Sequence, residues 1–191
     1  MKKAERLRLD VNPAFAIAAA ALYLFDNDGV FALIAVSALV HELGHYIVLR
    51  LLGAAPYIIR LELTGAVMYY DGQTIGYGGE LAAAAAGPAA GILLAVMASL
   101  CGDAALCGAS LTLTAFNLLP ANGLDGGKML HSFLTLFLDG SGADKVSTIL
   151  TFFTAAALIL CGGVAFAEIR CGAALIPAGA VLLIRQLKSG W

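Results

Sequence analysis

Charged side chains are scarce in this chain. Asp, Glu, Lys and Arg make up 13% of its 191 residues, against roughly a quarter in soluble domains. Hydrophobic residues supply 61%, and the mean hydropathy is +0.90. A water-soluble globule of this size could not hide that much apolar side chain, so the expected solvent is lipid. The basic residues form no stripe with interleaved aromatics, which excludes nucleic acid as a partner. Cys101, Cys107, Cys161 and Cys171 show no CxxC spacing, which argues against a cysteine zinc site. They read as small buried hydrophobes near segment ends, with a disulfide on the non-cytosolic side as the alternative. No PDZ-sized, nucleotide-binding or low-complexity segment is present. The net charge of −2 is uninformative, because placement matters more than the sum.

The uncharged runs mark the membrane spans. Residues 81–102, 104–124 and 146–167 each reach the roughly 20 apolar residues that cross a bilayer. Residues 29–52 form a further span, interrupted by Glu42, Arg50 and two histidines. Shorter segments at 11–25 and 171–187 complete a set of six. The expected fold is therefore an all-α integral membrane protein with about six transmembrane helices. With a cytosolic N-terminus, every Lys and Arg except Arg170 falls on the cytosolic side, as the positive-inside rule requires. Both termini are then cytosolic. A secretory signal peptide is the competing reading of the basic start. The small residues Ala18–Ala20 lie inside the apolar run rather than after it, which argues against cleavage.

Residues 57–72 break the helical pattern. Pro56 ends the second span, after which Ile59, Leu61 and Leu63 alternate with Arg60, Glu62 and Thr64. Gly65 then turns the chain into Val67-Met68-Tyr69-Tyr70. This predicts a short membrane-associated β-hairpin between helices 2 and 3. Such backbone survives at membrane depth only where protein covers it or water reaches it.

The second span contains His41-Glu42-Leu43-Gly44-His45. On a helix, positions i and i+4 share a face, so both imidazoles point to one place. Two neutral imidazoles there can ligate Zn²⁺, and the glutamate between them can act as general base. An acid at mid-span costs about 2.5–3.5 kcal/mol on insertion scales. Such a cluster therefore needs a compensating partner, and a metal in a wet cavity is one. Gly44 leaves room for close approach by another segment.

Catalytic zinc usually takes a third protein ligand. The candidates are Glu62, Asp71, Glu80, Asp125 and His131. Asp125 stands out because it follows an apolar span broken by Pro120 and Gly123, ahead of Gly126 and Gly127. Broken helices commonly bring polar groups to internal membrane sites. An ordinary cytosolic turn, with Asp125 capping the next helix, fits the pattern equally well. His131 reads as a surface or interface histidine. Glu80 is expected near a helix N-terminus, and Gly87 and Gly91 as packing positions.

The pairing of HELGH with Asn117-Leu-Leu-Pro120-Ala-Asn-Gly-Leu-Asp125-Gly-Gly resembles the site-2 protease family of intramembrane metalloproteases. Gly78-Gly79-Glu80-Leu81 and Ala86-Gly87-Pro88 extend the likeness, which covers about 29–135, and the arrangement is particularly similar to the stage IV sporulation protein FB branch. The resemblance implies His41, His45 and Asp125 as zinc ligands and Glu42 as general base. It also implies that Asn117 and Pro120 shape a substrate cleft, and that the 57–72 hairpin is a membrane-embedded β segment. Residues 1–191 are expected to form a single transmembrane metalloprotease domain without a soluble CBS or PDZ domain. Members of the sporulation branch typically carry a CBS domain after the last span, so ATP sensing is not carried over, and a pro-sigma substrate is put in doubt. The expected partners are the lipid bilayer, a membrane protein or membrane-associated peptide as substrate, and membrane regulatory proteins.

His41 and His45 precede the cytosolic end of their span, near Leu52, by only a few turns, placing a metal roughly 10–15 Å inside that face. Water must enter from that side, so cuts are expected near the cytosolic ends of substrates. An inactive helix-binding relative and a metal-ion transporter are the rival readings. Transport would need a polar path outward, and residues 29–40 offer only Ser37.

Overall fold

The computed structural model describes residues 7–62, 65–169 and 175–189. Lys2, Lys3, Arg6, Leu63, Thr64, Arg170 and Cys171 lie outside them. Two compact units divide the chain, Met1–Ala115 and Phe116–Trp191.

The first unit opens with β1 (Arg8–Val11) and α1 (Pro13–Leu24). The Asn12 side chain caps α1 by accepting from the Ala14 N–H at 2.9 Å, and Pro13 occupies the first turn, where its missing N–H costs nothing. None of the α1 residues is buried. The carboxylate of Asp26 then accepts from the N–H groups of Val30 and Phe31 at 2.9 and 2.8 Å. That satisfies the orphan donors at the start of α2 (Val30–Leu51).

Along α2 the usual amphipathic arrangement is inverted. Its buried residues are Ser37, His41, His45 and Leu49, one per turn on a single stripe. Leu39, Leu43 and Ile47 face outward. Apolar-out, polar-in is what a lipid solvent selects.

The stripe packs against α3 (Gly76–Leu100). A Cβ added to Gly44 would lie 2.5 Å from the Ala86 carbonyl oxygen and 2.8 Å from Ala90 Cβ, so the two helices touch backbone to backbone. His41 lies beside Gly87 and Gly91, and His45 beside Ala83 and Gly87, so the helices run antiparallel. The run from Ala82 to Gly91 consists of Ala, Gly and Pro only, the composition that lets membrane helices approach closely.

Between α2 and α3 lie β2 (Ile58–Glu62) and β3 (Gly65–Tyr69), antiparallel with Ile58 opposite Tyr69 and Glu62 opposite Gly65. The expected hairpin is present, and a third strand joins it. β1 pairs with β2 in parallel, from Arg8 opposite Ile58 to Val11 opposite Leu61. A four-residue strand whose partner is some fifty residues away leaves no local signature, and in the sequence it merges with the start of the first apolar run. Arg60 Nε donates to Asp10 Oδ2 at 2.8 Å across that pair. This bond is the main reason that the Arg60 pKa rises, with the Tyr69 phenol and the Asp10 charge next. Met68, Tyr70, Ile75 and Val48 close over Leu49, Ala54 and Ala83, seating the sheet where α2 ends and α3 begins. Burial there, helped by the Glu80 charge, pushes the Tyr70 phenol up.

α4 (Ala104–Asn117) leads from the first unit into the second. It stops short of the expected 104–124 span because the chain unwinds ahead of Pro120. The second unit holds α5 (Asp125–Thr135), α6 (Gly140–Ile169) and α7 (Leu175–Ser189). Its core is Ala121, Leu124, Ala155 and Leu182. Among the described residues, α2, α3 and α6 are long and apolar enough to cross a membrane, while α1, α4 and α7 are shorter apolar helices. The chain is thus a largely helical membrane protein carrying a small three-stranded sheet.

Candidate metal centre

In the first unit, one helical turn of α2 brings His41 Nε2 and His45 Nε2 to 3.2 Å. The rings meet edge to face, with centroids 4.9 Å apart at 78°. Both are buried, His41 to 3% and His45 to 9% exposure. His45 Nδ1 lies 2.7 Å from the carbonyl oxygen of Ala83. A carbonyl only accepts, so Nδ1 carries the proton, and in the neutral ring Nε2 then offers its lone pair. Two Zn–N bonds of about 2.0–2.1 Å at the tetrahedral angle would separate the nitrogens by roughly 3.3–3.4 Å. The observed separation matches that spacing, so the pair fits a zinc ion. Nδ1–H bonded to a backbone carbonyl is also the usual outer support of a metal-bound histidine.

Close approach makes this geometry possible. A Cβ on Gly87 would fall on His45 Nε2 and lie 2.7 Å from His41 Nε2. A Cβ on Gly91 would fall on Thr114 Oγ1 and lie 3.8 Å from His41 Nδ1. Thr114 is buried, and its hydroxyl has no hydrogen-bond partner among the described residues. Sequence reasoning assigned Gly87 and Gly91 to helix packing alone and overlooked Ala83. The available signal was the Gly-Pro pair inside an apolar helix, with Gly87 and Gly91 spaced to match the HELGH helix. Glu42, next to His41 on α2, is half-buried.

In the second unit, Asn117 is the last residue of α4 and, like Pro120, is half-buried. The Ala121 N–H reaches the Leu119 carbonyl at 2.8 Å, a three-residue turn centred on Pro120, whose fixed φ suits it. The Leu124 N–H then reaches the Ala121 carbonyl at 3.0 Å, closing a second turn with Gly123 at φ 95°. That left-handed φ at the third turn position is the reason for glycine there. The loop folds back over the start of α5. A Cβ on Gly126 would fall on the Leu118 carbonyl oxygen, and one on Gly127 on that of Ala121.

Asp125 is the first residue of α5 and is 4% exposed. Lys128 Nζ donates to its Oδ1 at 3.2 Å. His131 bonds Asp144 at 2.9 Å, joining α5 to α6 as an interface histidine. Glu62 ends β2, Asp71 precedes a single 3-10 turn at Gly72–Thr74, and Glu80 lies in the second turn of α3. Cys101, Cys107 and Cys161 are free thiols.

The architecture is that of a largely helical membrane protein with a histidine pair buried between two apolar helices, α2 and α3. Among solved structures it is similar to the site-2 protease from Methanocaldococcus jannaschii, with a TM-score of 0.70 and 24% sequence identity. The match covers 98% of this chain and 93% of that one, so the two share a fold over nearly their whole length. No family model and no curated protein matches the chain.

Proposed function

We propose that this chain is an intramembrane zinc metalloprotease that hydrolyses peptide bonds of membrane-embedded or membrane-associated proteins near the cytosolic face. The observation that carries the reading is the His41–His45 pair, buried in a membrane-length apolar helix at zinc-chelating spacing. His41, His45 and Asp125 are the ligands, all three buried, and two imidazoles with one carboxylate are a common catalytic zinc donor set. Bound there, zinc would supply Lewis acidity toward a peptide carbonyl and lower the pKa of water to about 7. Glu42 takes a proton from the attacking water and passes it to the leaving amine nitrogen. Asn117 and Pro120 shape the substrate cleft, and an unwound substrate adds to the edge of β3 by strand pairing.

Six spans, cytosolic termini and residence in a bacterial cell membrane complete the reading, with 1–191 acting as one catalytic domain. The likeness of HELGH and the Asn117–Gly127 stretch to the stage IV sporulation protein FB branch supports a role in sporulation signalling.

The test is to coexpress a panel of single-span membrane proteins with wild type and with Glu42→Gln, and to measure zinc in the purified proteins. Cleavage should vanish in the variant while zinc stays. Continued proteolysis by Glu42→Gln would overturn the mechanism. Metal flux that depends on His41, without proteolysis, would favour a transporter.

A further inference from the structure

The loop that leads into Asp125 is tied to α6 and α7 by a chain of hydrogen bonds inside the second unit. The Asn122 backbone N–H donates to Thr151 Oγ1 at 2.8 Å. The Thr151 hydroxyl donates to the Ser147 carbonyl at 2.8 Å. Asn122 Nδ2 donates to Gln186 Oε1 at 2.8 Å, and Gln186 Nε2 donates to Thr148 Oγ1 at 3.1 Å. Thr151 is fully buried and Gln186 is 5% exposed. Thr148 and Thr151 are three apart on α6, so they share a face.

Buried polar side chains on apolar helices are costly unless paired, and each interhelical bond returns only a modest gain. A simple α6–α7 contact needs none of them. The core beside them, Ala155 with Leu182, already joins these helices, and a Cβ on Gly179 would lie 2.7 Å from the Ala155 carbonyl. What the network does that the apolar contact does not is grip the loop. It holds Asn122 by both its backbone N–H and its side-chain amide. Asn122 is the second residue of the turn from Ala121 to Leu124, and Leu124 is followed by Asp125. With the turn fixed at Asn122 and the chain direction set at Gly123, the start of α5 has little freedom left.

We propose that Asn122, Thr151 and Gln186 are positioning residues for the Asp125 carboxylate. Through them, α7 clamps the turn that presents this group to the metal. The inference rests on Asp125 being a zinc ligand and adds the device that keeps it in place.

The experiment uses the 191-residue chain in lipid nanodiscs, as wild type, Gln186→Leu, Thr151→Val and the conservative Thr151→Ser. Two quantities are read: the zinc dissociation constant by chelator competition, and hydrogen exchange of the 121–124 amides in zinc-stripped protein. Outer-sphere supports change metal affinity by about 10–100-fold, so Gln186→Leu and Thr151→Val should weaken zinc about tenfold or more. Exchange at 121–124 should accelerate about tenfold in the same two variants, since the Asn122 N–H loses its partner or its brace. Thr151→Ser keeps the hydroxyl and should restore both values toward wild type, even if the Val variant folds poorly. Faster exchange with unchanged zinc affinity overturns the proposal, because the network would then only join helices. Unchanged exchange in Gln186→Leu overturns it too, as does a Ser variant that behaves like Val. Should wild type bind no zinc, the metalloprotease reading fails separately, and exchange alone then decides whether the clamp exists.

Discussion

His45 is braced from behind by Ala83, whose carbonyl oxygen lies 2.7 Å from its Nδ1. Because the acceptor is backbone, no side-chain deletion on α3 removes it. Only a shift of α3 against α2 does. Gly44→Ala forces that shift, since its Cβ would lie 2.5 Å from the Ala86 carbonyl oxygen. Zinc affinity should fall about tenfold, although neither imidazole is altered, as chelator competition would show. Wild-type affinity in this variant would mean that the Ala83 contact is incidental.

Gly87→Ala probes the other side of the pair. Its Cβ would fall on His45 Nε2 and lie 2.7 Å from His41 Nε2, where the metal would sit. Alanine is the better helix former by about 0.8–1.0 kcal/mol, so a general loss of helix is not expected. Purified protein should be helical and zinc-poor. Full zinc occupancy would contradict the placement of the ion at the Nε2 atoms.

Glu42→Gln separates proton transfer from metal binding. Removing a general acid–base typically costs about 10²–10⁴-fold in rate. Cleavage of a coexpressed substrate should drop by that order with zinc content at the wild-type level, whereas His41→Ala and His45→Ala should lose both.

Gly123→Ala tests the turn before Asp125. The native φ is 95°, and forcing an alanine into the left-handed region costs about 1–2 kcal/mol. The thermal midpoint of the purified protein should fall, and zinc dissociation should quicken through the displaced turn. A midpoint equal to wild type would show that the turn relaxes at no cost.

Arg60→Gln removes the bond to Asp10 that pins β1 to β2. Solvent reaches both side chains and screens the pair, so the loss of stability should be small. Exchange of the 8–11 amides should rise while zinc content is unchanged. A fall in zinc would reveal coupling from the sheet to the histidines.

Local pattern carried much of this protein. Apolar runs marked α2, α3 and α6, because a bilayer demands an uninterrupted stretch that any window of sequence displays. The i,i+4 spacing placed His41 and His45 on one face for the same reason: helical geometry is local. Alternation foretold β2 and β3, and Pro120 with Gly123 foretold the broken segment ahead of Asp125. β1 was not legible, since four residues paired across a long loop carry no period long enough to detect. The end of α4 at Asn117 was also missed, because hydropathy does not register where a helix unwinds.

By itself, then, the sequence determined a lipid-solvated helical chain with two imidazoles on one helix face, and it nominated Asp125. Tertiary structure alone decided what surrounds those imidazoles. That Ala83 accepts from His45, that Gly87 keeps the space at both Nε2 atoms clear, and that Gln186 reaches Asn122 are contacts between distant segments. Such contacts depend on how helices pack, and packing is fixed by the complementarity of whole surfaces rather than by the period of any one of them.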